Sequence, residues 1–173
     1  MNPDSVEFRP SVLQDMCWWT LCGVMRRRRQ ERVGFLFGRV RKERHIVVER
    51  AALYRGGRRA SHHADVKVVK MADRRYELGL KLHLQVLGTF HSHISDVDEL
   101  AHGVSPDDRL AFADDIFAPI AVIVAVRPAV RTPNRTSKRA LIGYEPRLGC
   151  SFNIRAYSIS EPRIRMLPVN ATD

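Results

Sequence analysis

The run Pro119-Ile120-Ala121-Val122-Ile123-Val124-Ala125-Val126 contains no charged residue. A strand with no polar face has to lie in the middle of a sheet, covered on both sides. The rest of the chain is read around that demand. Ser11 to Met25 carries Leu13, Met16, Cys17, Leu21, Val24 and Met25 at helical spacing, with Trp18 and Trp19 beside the stripe as anchors to the sheet. Val33 to Val40 and His45 to Tyr54 read as strands joined by the charged turn Arg41-Lys42-Glu43-Arg44, which makes a hairpin. Val66 to Val69 reads as a short strand and Met71 to Leu84 as a helix. Val86 to His91 is a further strand. Ser105-Pro106-Asp107-Asp108 then opens a helix reaching about Asp115, with Ser at the cap, Pro at the first helical position and acids in the first turn. Arg127 to Lys138 is a loop; Arg139 to Tyr144, Ser151 to Ser158 and Arg163 to Val169 are strands. Helices separating strands, with hairpins at both ends, predict an α/β sandwich around a mixed sheet, in a single domain spanning residues 1–173.

Composition narrows the function. Of 173 residues, 45% are hydrophobic, which is enough for a real core. No apolar run is long enough to cross a bilayer, and Met1-Asn2-Pro3-Asp4-Ser5 lacks the form of a secretory leader, so a cytoplasmic protein is expected. Cys17, Cys22 and Cys150 form no CxxC pair, which predicts buried free thiols rather than a disulfide framework. The net charge of +10 calls for an acidic partner. No aromatic-interleaved basic platform is present, so nucleic acid is not the expected one. The densest basic run, Arg26-Arg27-Arg28-Arg29, ends a helical pattern and reads as a solvated helix end.

The chemistry concentrates at His91-Ser92-His93. Residues two apart on a strand share a face, so both imidazoles can reach one ion. A catalytic zinc takes three protein ligands and keeps a fourth position open. Asp108, in the first turn of the following helix, is the preferred third ligand; Asp96, Asp98, Glu99 and Asp107 compete on spacing alone. Glu31 begins an apolar strand that can run beside the histidine strand, which makes it the candidate general base. The Ser105 hydroxyl is the candidate donor to an oxyanion. On its own, a His-x-His pair is more often two hydrogen-bonded core histidines. Glu31, Ser105 and Asp108 falling in order turn the reading toward metal. His62-His63 and His102 read as exposed loop histidines, and His45 and His83 carry no partner signal. Gly34 and Gly38, four apart in a strand, mark close backbone approach or a bulge.

Glu31 ahead of Gly34-Phe35-Leu36-Phe37-Gly38, then His91-Ser92-His93, then Ser105-x-x-Asp108, resembles the JAMM (MPN+) metalloprotease family, over residues 10 to 127. The resemblance implies a curved mixed sheet sandwiched by helices, similar to the zinc deaminases. The deaminases' Pro-Cys-x-x-Cys is missing here, which sets their chemistry aside. Residue by residue, it implies one Zn²⁺ per chain on His91, His93 and Asp108, Glu31 as base and Ser105 at the oxyanion. It also implies hydrolysis of a peptide or isopeptide bond at the C-terminal tail of a ubiquitin-like protein or its conjugate. A bacterial ubiquitin-like conjugation system used in anti-phage defence, with its conjugation enzymes as partners, fits that implication. Relatives that act on sulfur-carrier C-termini, or that serve as non-catalytic MPN scaffolds, are the alternatives. Two departures stand out. Residues 94 to 104 separate the second His from the Ser, more than the family usually has, and Ile94 stands where a proline is common. The longer loop, with Asp96, Asp98 and Glu99, is expected to border the mouth of the site.

Overall fold

The computed structural model describes residues 3–25, 30–54, 58–59, 64–65, 68–94, 104–114, 118–128, 135–160 and 163–172. The expected basic run Arg26–Arg29, the histidines His62, His63 and His102, and the acidic loop residues Asp96, Asp98 and Glu99 lie outside them.

In chain order the elements are β1 (Ser5–Phe8), α1 (Pro10–Val24), β2 (Val33–Val40), β3 (His45–Leu53), β4 (Arg58–Arg59), β5 (Ala64–Asp65), α2 (Val68–Leu82), β6 (Gln85–Ile94), α3 (Pro106–Asp114), β7 (Ile120–Pro128), β8 (Arg135–Ser137), β9 (Ala140–Glu145), β10 (Cys150–Ser160), β11 (Arg163–Leu167) and β12 (Val169–Ala171). The main sheet has ten strands in the order β12-β1-β3-β2-β6-β7-β10-β9-β8, with β11 pairing on β10. β6 and β7 run parallel, as do β1 with β3 and with β12; the other pairs are antiparallel. β12, at one end of the order, also touches β9 and β8 at the other, so the sheet curls nearly shut.

This overturns the expected α/β sandwich of helices around a sheet. Strands hold 53% of the described residues, in a nearly closed, barrel-like sheet with few helices. Alternation of helix and strand holds only in the first part of the chain. From Ile120 onward every described regular element is a strand, including one at Arg135–Ser137 where a loop was expected. Val68 and Val69 also belong to α2 rather than to a strand. Their β-branching favours strands locally, but helical context overrides so weak a preference.

α1 starts with Pro10 in its first turn, where the missing N–H costs nothing. It turns Val12, Met16 and Leu21 inward. They join Val6, Phe8, Ile46, Val48, Val122, Val124, Phe152 and Ile154 in one core. The central strand is as buried as its composition demands: Ile120 through Val126 are each at most 1% exposed. Burying a large aliphatic or Phe side chain contributes roughly 1.5–3 kcal/mol, and Phe35, Phe37 and Phe90 are all fully enclosed. Trp19 stacks on Phe90 with ring centroids 5.8 Å apart, whereas Trp18 is 59% exposed. The opposite face of β7 and β10 has a smaller cluster. Ala121, Ile123 and Tyr157 are covered there by Val104, Ile164 and Met166, from a connecting segment and a strand.

Candidate metal centre

β2 runs antiparallel beside β6, with Val33 opposite His91, and β7 flanks β6 on the other side, with Ile123 opposite His91. β6 is therefore held on both edges, and its backbone leaves the two imidazoles little freedom. Ser92, between the histidines, points the other way and is fully buried. Its hydroxyl accepts the Arg32 N–H at 2.8 Å, and its own N–H donates to the Arg32 carbonyl at 2.8 Å. That double link ties the residue after Glu31 to the residue between the histidines. The chain reaches it from α1 through a tight passage in which the Gln30 N–H donates to the Gly23 carbonyl at 3.1 Å. A Cβ on Gly23 would lie 2.2 Å from the Gln30 carbonyl oxygen, so only glycine permits the approach. Gly34 does the same one strand away: its Cβ would meet the Phe90 ring at 2.2 Å and the Ala52 carbonyl at 2.5 Å. The β2–β3 ladder shifts register between Phe37 and Gly38, the bulge foreseen at that glycine.

α3 supplies the third group. Ser105 and Asp108 form a reciprocal cap: the Asp108 N–H donates to Ser105 Oγ at 3.1 Å, and the Ser105 N–H donates to Asp108 Oδ2 at 2.8 Å. The carboxylate so held faces the histidines. His91 Nε2 lies 2.9 Å from Asp108 Oδ1, His93 Nε2 lies 3.3 Å from Asp108 Oδ2, and the two Nε2 atoms are 2.9 Å apart. His91, His93 and Asp108 thus each present a ligand atom to one small volume, all within 4.8 Å of one another. Two imidazole nitrogens and a carboxylate oxygen converging in this way are a donor set that can hold a metal ion. Of the competing aspartates, Asp107 is exposed and stands outside the group.

Electrostatics divide the two carboxylates. Burial raises the Glu31 carboxyl to about 7, with the charge of His93 working against the rise and that of Asp108 adding to it. Burial would raise Asp108 too, but hydrogen bonds from His91 and His93, the charge of His91 and the bond from Ser105 outweigh it. Asp108 is held well below the usual carboxylate range. The two carboxyls are thus pushed in opposite directions, Glu31 up and Asp108 down. Cys17 supplies no nucleophile, because burial pushes its thiol up to about 12.

Two neighbours carry no sequence signal. His91, Ile123 and Arg155 stand on one rung across β6, β7 and β10, and Ala121 and Tyr157 two rungs along, on the same face. Tyr157 is buried; burial raises its hydroxyl, Arg155 opposes the rise and the Asp108 charge adds to it. Only the register of three strands brings them to the site, and register is not written in local spacing. His45, for which no partner was foreseen, binds Ser5 Oγ through Nδ1 at 2.7 Å and Glu7 Oε2 through Nε2 at 2.9 Å, fastening β1 to β3.

Fold and site together define a strand-rich domain with a candidate three-ligand metal centre. No family model matches the chain, and no curated protein does. Among solved structures it is similar to the solution structure of protein DSY2949 from Desulfitobacterium hafniense, with 15% identity over 97% of this chain and 93% of that one, at a TM-score of 0.64. At that identity the likeness concerns the fold alone. Among the described residues, no helix is long and apolar enough to cross a membrane.

Proposed function

We propose that the chain is a zinc-dependent isopeptidase or peptidase that cuts at the C-terminal tail of a ubiquitin-like protein or its conjugate. One observation carries the reading: the ligand atoms of His91, His93 and Asp108 converge within 4.8 Å, and the part-buried Glu31 carboxyl, raised by burial to about 7, feels the charges of His93 and Asp108. The motif resemblance to JAMM metalloproteases supports it, and that resemblance is the source of the substrate class. Two imidazoles and a carboxylate suit zinc as they suit ferrous iron, and the motif resemblance selects zinc; held there, it would supply Lewis acidity for polarising a carbonyl and acidifying a water.

The chain's own groups have separable tasks. His91, His93 and Asp108 bind, and the depressed Asp108 stays anionic for that purpose. Glu31 accepts a proton from the attacking water and returns it to the leaving amine, which its raised carboxyl suits. Ser105 Oγ is fixed at the head of α3 by the Asp108 N–H, and its hydroxyl proton is the donor to the oxyanion. The same reading has the protein act in the cytoplasm, beside conjugation enzymes.

The test is a panel of ubiquitin-like proteins carrying C-terminal extensions, incubated with zinc-loaded protein and read by mass spectrometry. Cleavage at the end of a tail by the wild type, and none by Glu31→Gln, is the expected result. Metal-loaded protein that cuts no member of the panel overturns the substrate class. Protein that takes up no zinc overturns the mechanism.

A further inference from the structure

Next to the metal centre lies an open cleft of about 580 Å³ lined by Arg109, Arg139, Arg163, Arg165, Ile164 and Met166. Three separate parts of the chain contribute: α3, the turn between β8 and β9, and β11. Arg109 directly follows the ligand Asp108. Ile164 and Met166 rest on Ala121, Ile123 and Tyr157, and Ile123 is the rung partner of His91. The apolar floor of the cleft therefore continues into the sheet face that carries the histidines. All four arginines are exposed, and Arg165 is tethered from behind by the Pro3 carbonyl and by Asp4 Oδ1 at 3.2 Å.

We propose that this cleft binds an acidic peptide segment of the protein whose tail enters the metal centre. Four guanidinium groups concentrate positive charge around one concavity, and that charge attracts an anionic occupant. Guanidinium forks match carboxylates in paired hydrogen bonds, and the tethered Arg165 offers one such fork already oriented. Among the described residues lining the cleft there is no aromatic ring on which a base could stack, and the Asp4 carboxylate is paired with one lining arginine, Arg165. Ile164 and Met166 suit the apolar side chains that separate acids in a peptide. The assignment of the acidic segment to a cleavable partner rests on the peptidase reading; the affinity for acidic peptide does not.

The experiment is fluorescence anisotropy with a labelled oligo-glutamate peptide, a Gly/Ser peptide of equal length and an oligo-dT strand of equal charge. Wild-type protein should bind the glutamate peptide over the Gly/Ser peptide, more weakly as salt rises, and more tightly than oligo-dT. Arg109→Gln/Arg139→Gln should weaken the glutamate peptide about tenfold or more while zinc content stays as in the wild type. Equal binding by the double variant, or preference for oligo-dT, overturns the proposal. If the double variant melts early, amide shifts on the wild type decide. Shifts induced by oligo-glutamate at residues 109, 139, 163 and 165 support the cleft, and shifts elsewhere overturn it. Protein that binds the peptide here yet cuts no ubiquitin-like tail sinks the peptidase reading and leaves the cleft standing.

Discussion

At the scale of single residues, the two carboxylates near the histidines make opposite predictions. On the proposed reading Glu31 moves protons without ligating, so Glu31→Gln should keep its zinc and lose roughly 10²–10⁴-fold in rate, read by elemental analysis beside a turnover assay. Its carboxyl lies at about 7. The proton-accepting form predominates above that pH and is lost below it, so kcat/KM should fall about tenfold per pH unit on the acid side. A flat profile between pH 5 and 8 would show that another group is the base. Asp108→Ala should abolish tight metal binding and Asp107→Ala should leave it, because only Asp108 faces the imidazoles; titration with zinc checks the pair. The convergence of His91 and His93 was legible from their spacing on a strand, while Asp108 competed on spacing with four other acids until the fold brought it to the imidazoles. Arg155 and Tyr157 were not legible, since they reach the site only across two strand pairings.

At the scale of elements, the head of α3 does two jobs. Ser105→Ala removes a cap contact worth typically about 1 kcal/mol and loosens the carboxylate that the cap holds. Thermal unfolding should register the first effect and zinc affinity the second. A variant that loses stability and keeps its affinity would show that Asp108 is held by the histidines alone. Gly34→Ala drives a methyl into the Phe90 ring and the Ala52 carbonyl, an overpacking of roughly 1–3 kcal/mol. Phe90 precedes His91, so zinc affinity should fall together with the melting temperature. The hairpin of β2 and β3, the histidine strand and the capped helix were readable from periodicity and turn chemistry. Val68 and Val69 were misread because two β-branched residues carry too little information to outvote the helix that follows them.

At the scale of the whole molecule, the sheet and not the metal holds the site together. β6 is laddered on both sides, and the main core cluster includes none of the three candidate ligands. Chelation should therefore leave the far-ultraviolet circular dichroism unchanged. Restoring zinc at about 100 times its Kd should raise the melting temperature by about 5–11 °C. Collapse of the spectrum on chelation would instead make the ion a structural one. The central strand announced itself through composition, and its burial is complete. The curl that brings β12 to β9 and β8 did not, because closure is a property of accumulated twist and register rather than of any one segment.

The reciprocal cap of Ser105 and Asp108 also bears on descent. A lineage that abandons catalysis is free to lose Glu31, His91 and His93, whose chemistry then has no use. Asp108 and Ser105 remain under selection, because the start of a helix depends on them. On the proposed peptidase reading, the histidines and Glu31 are therefore the positions that separate working copies from retired ones, and a surviving Ser-x-x-Asp testifies only to the helix.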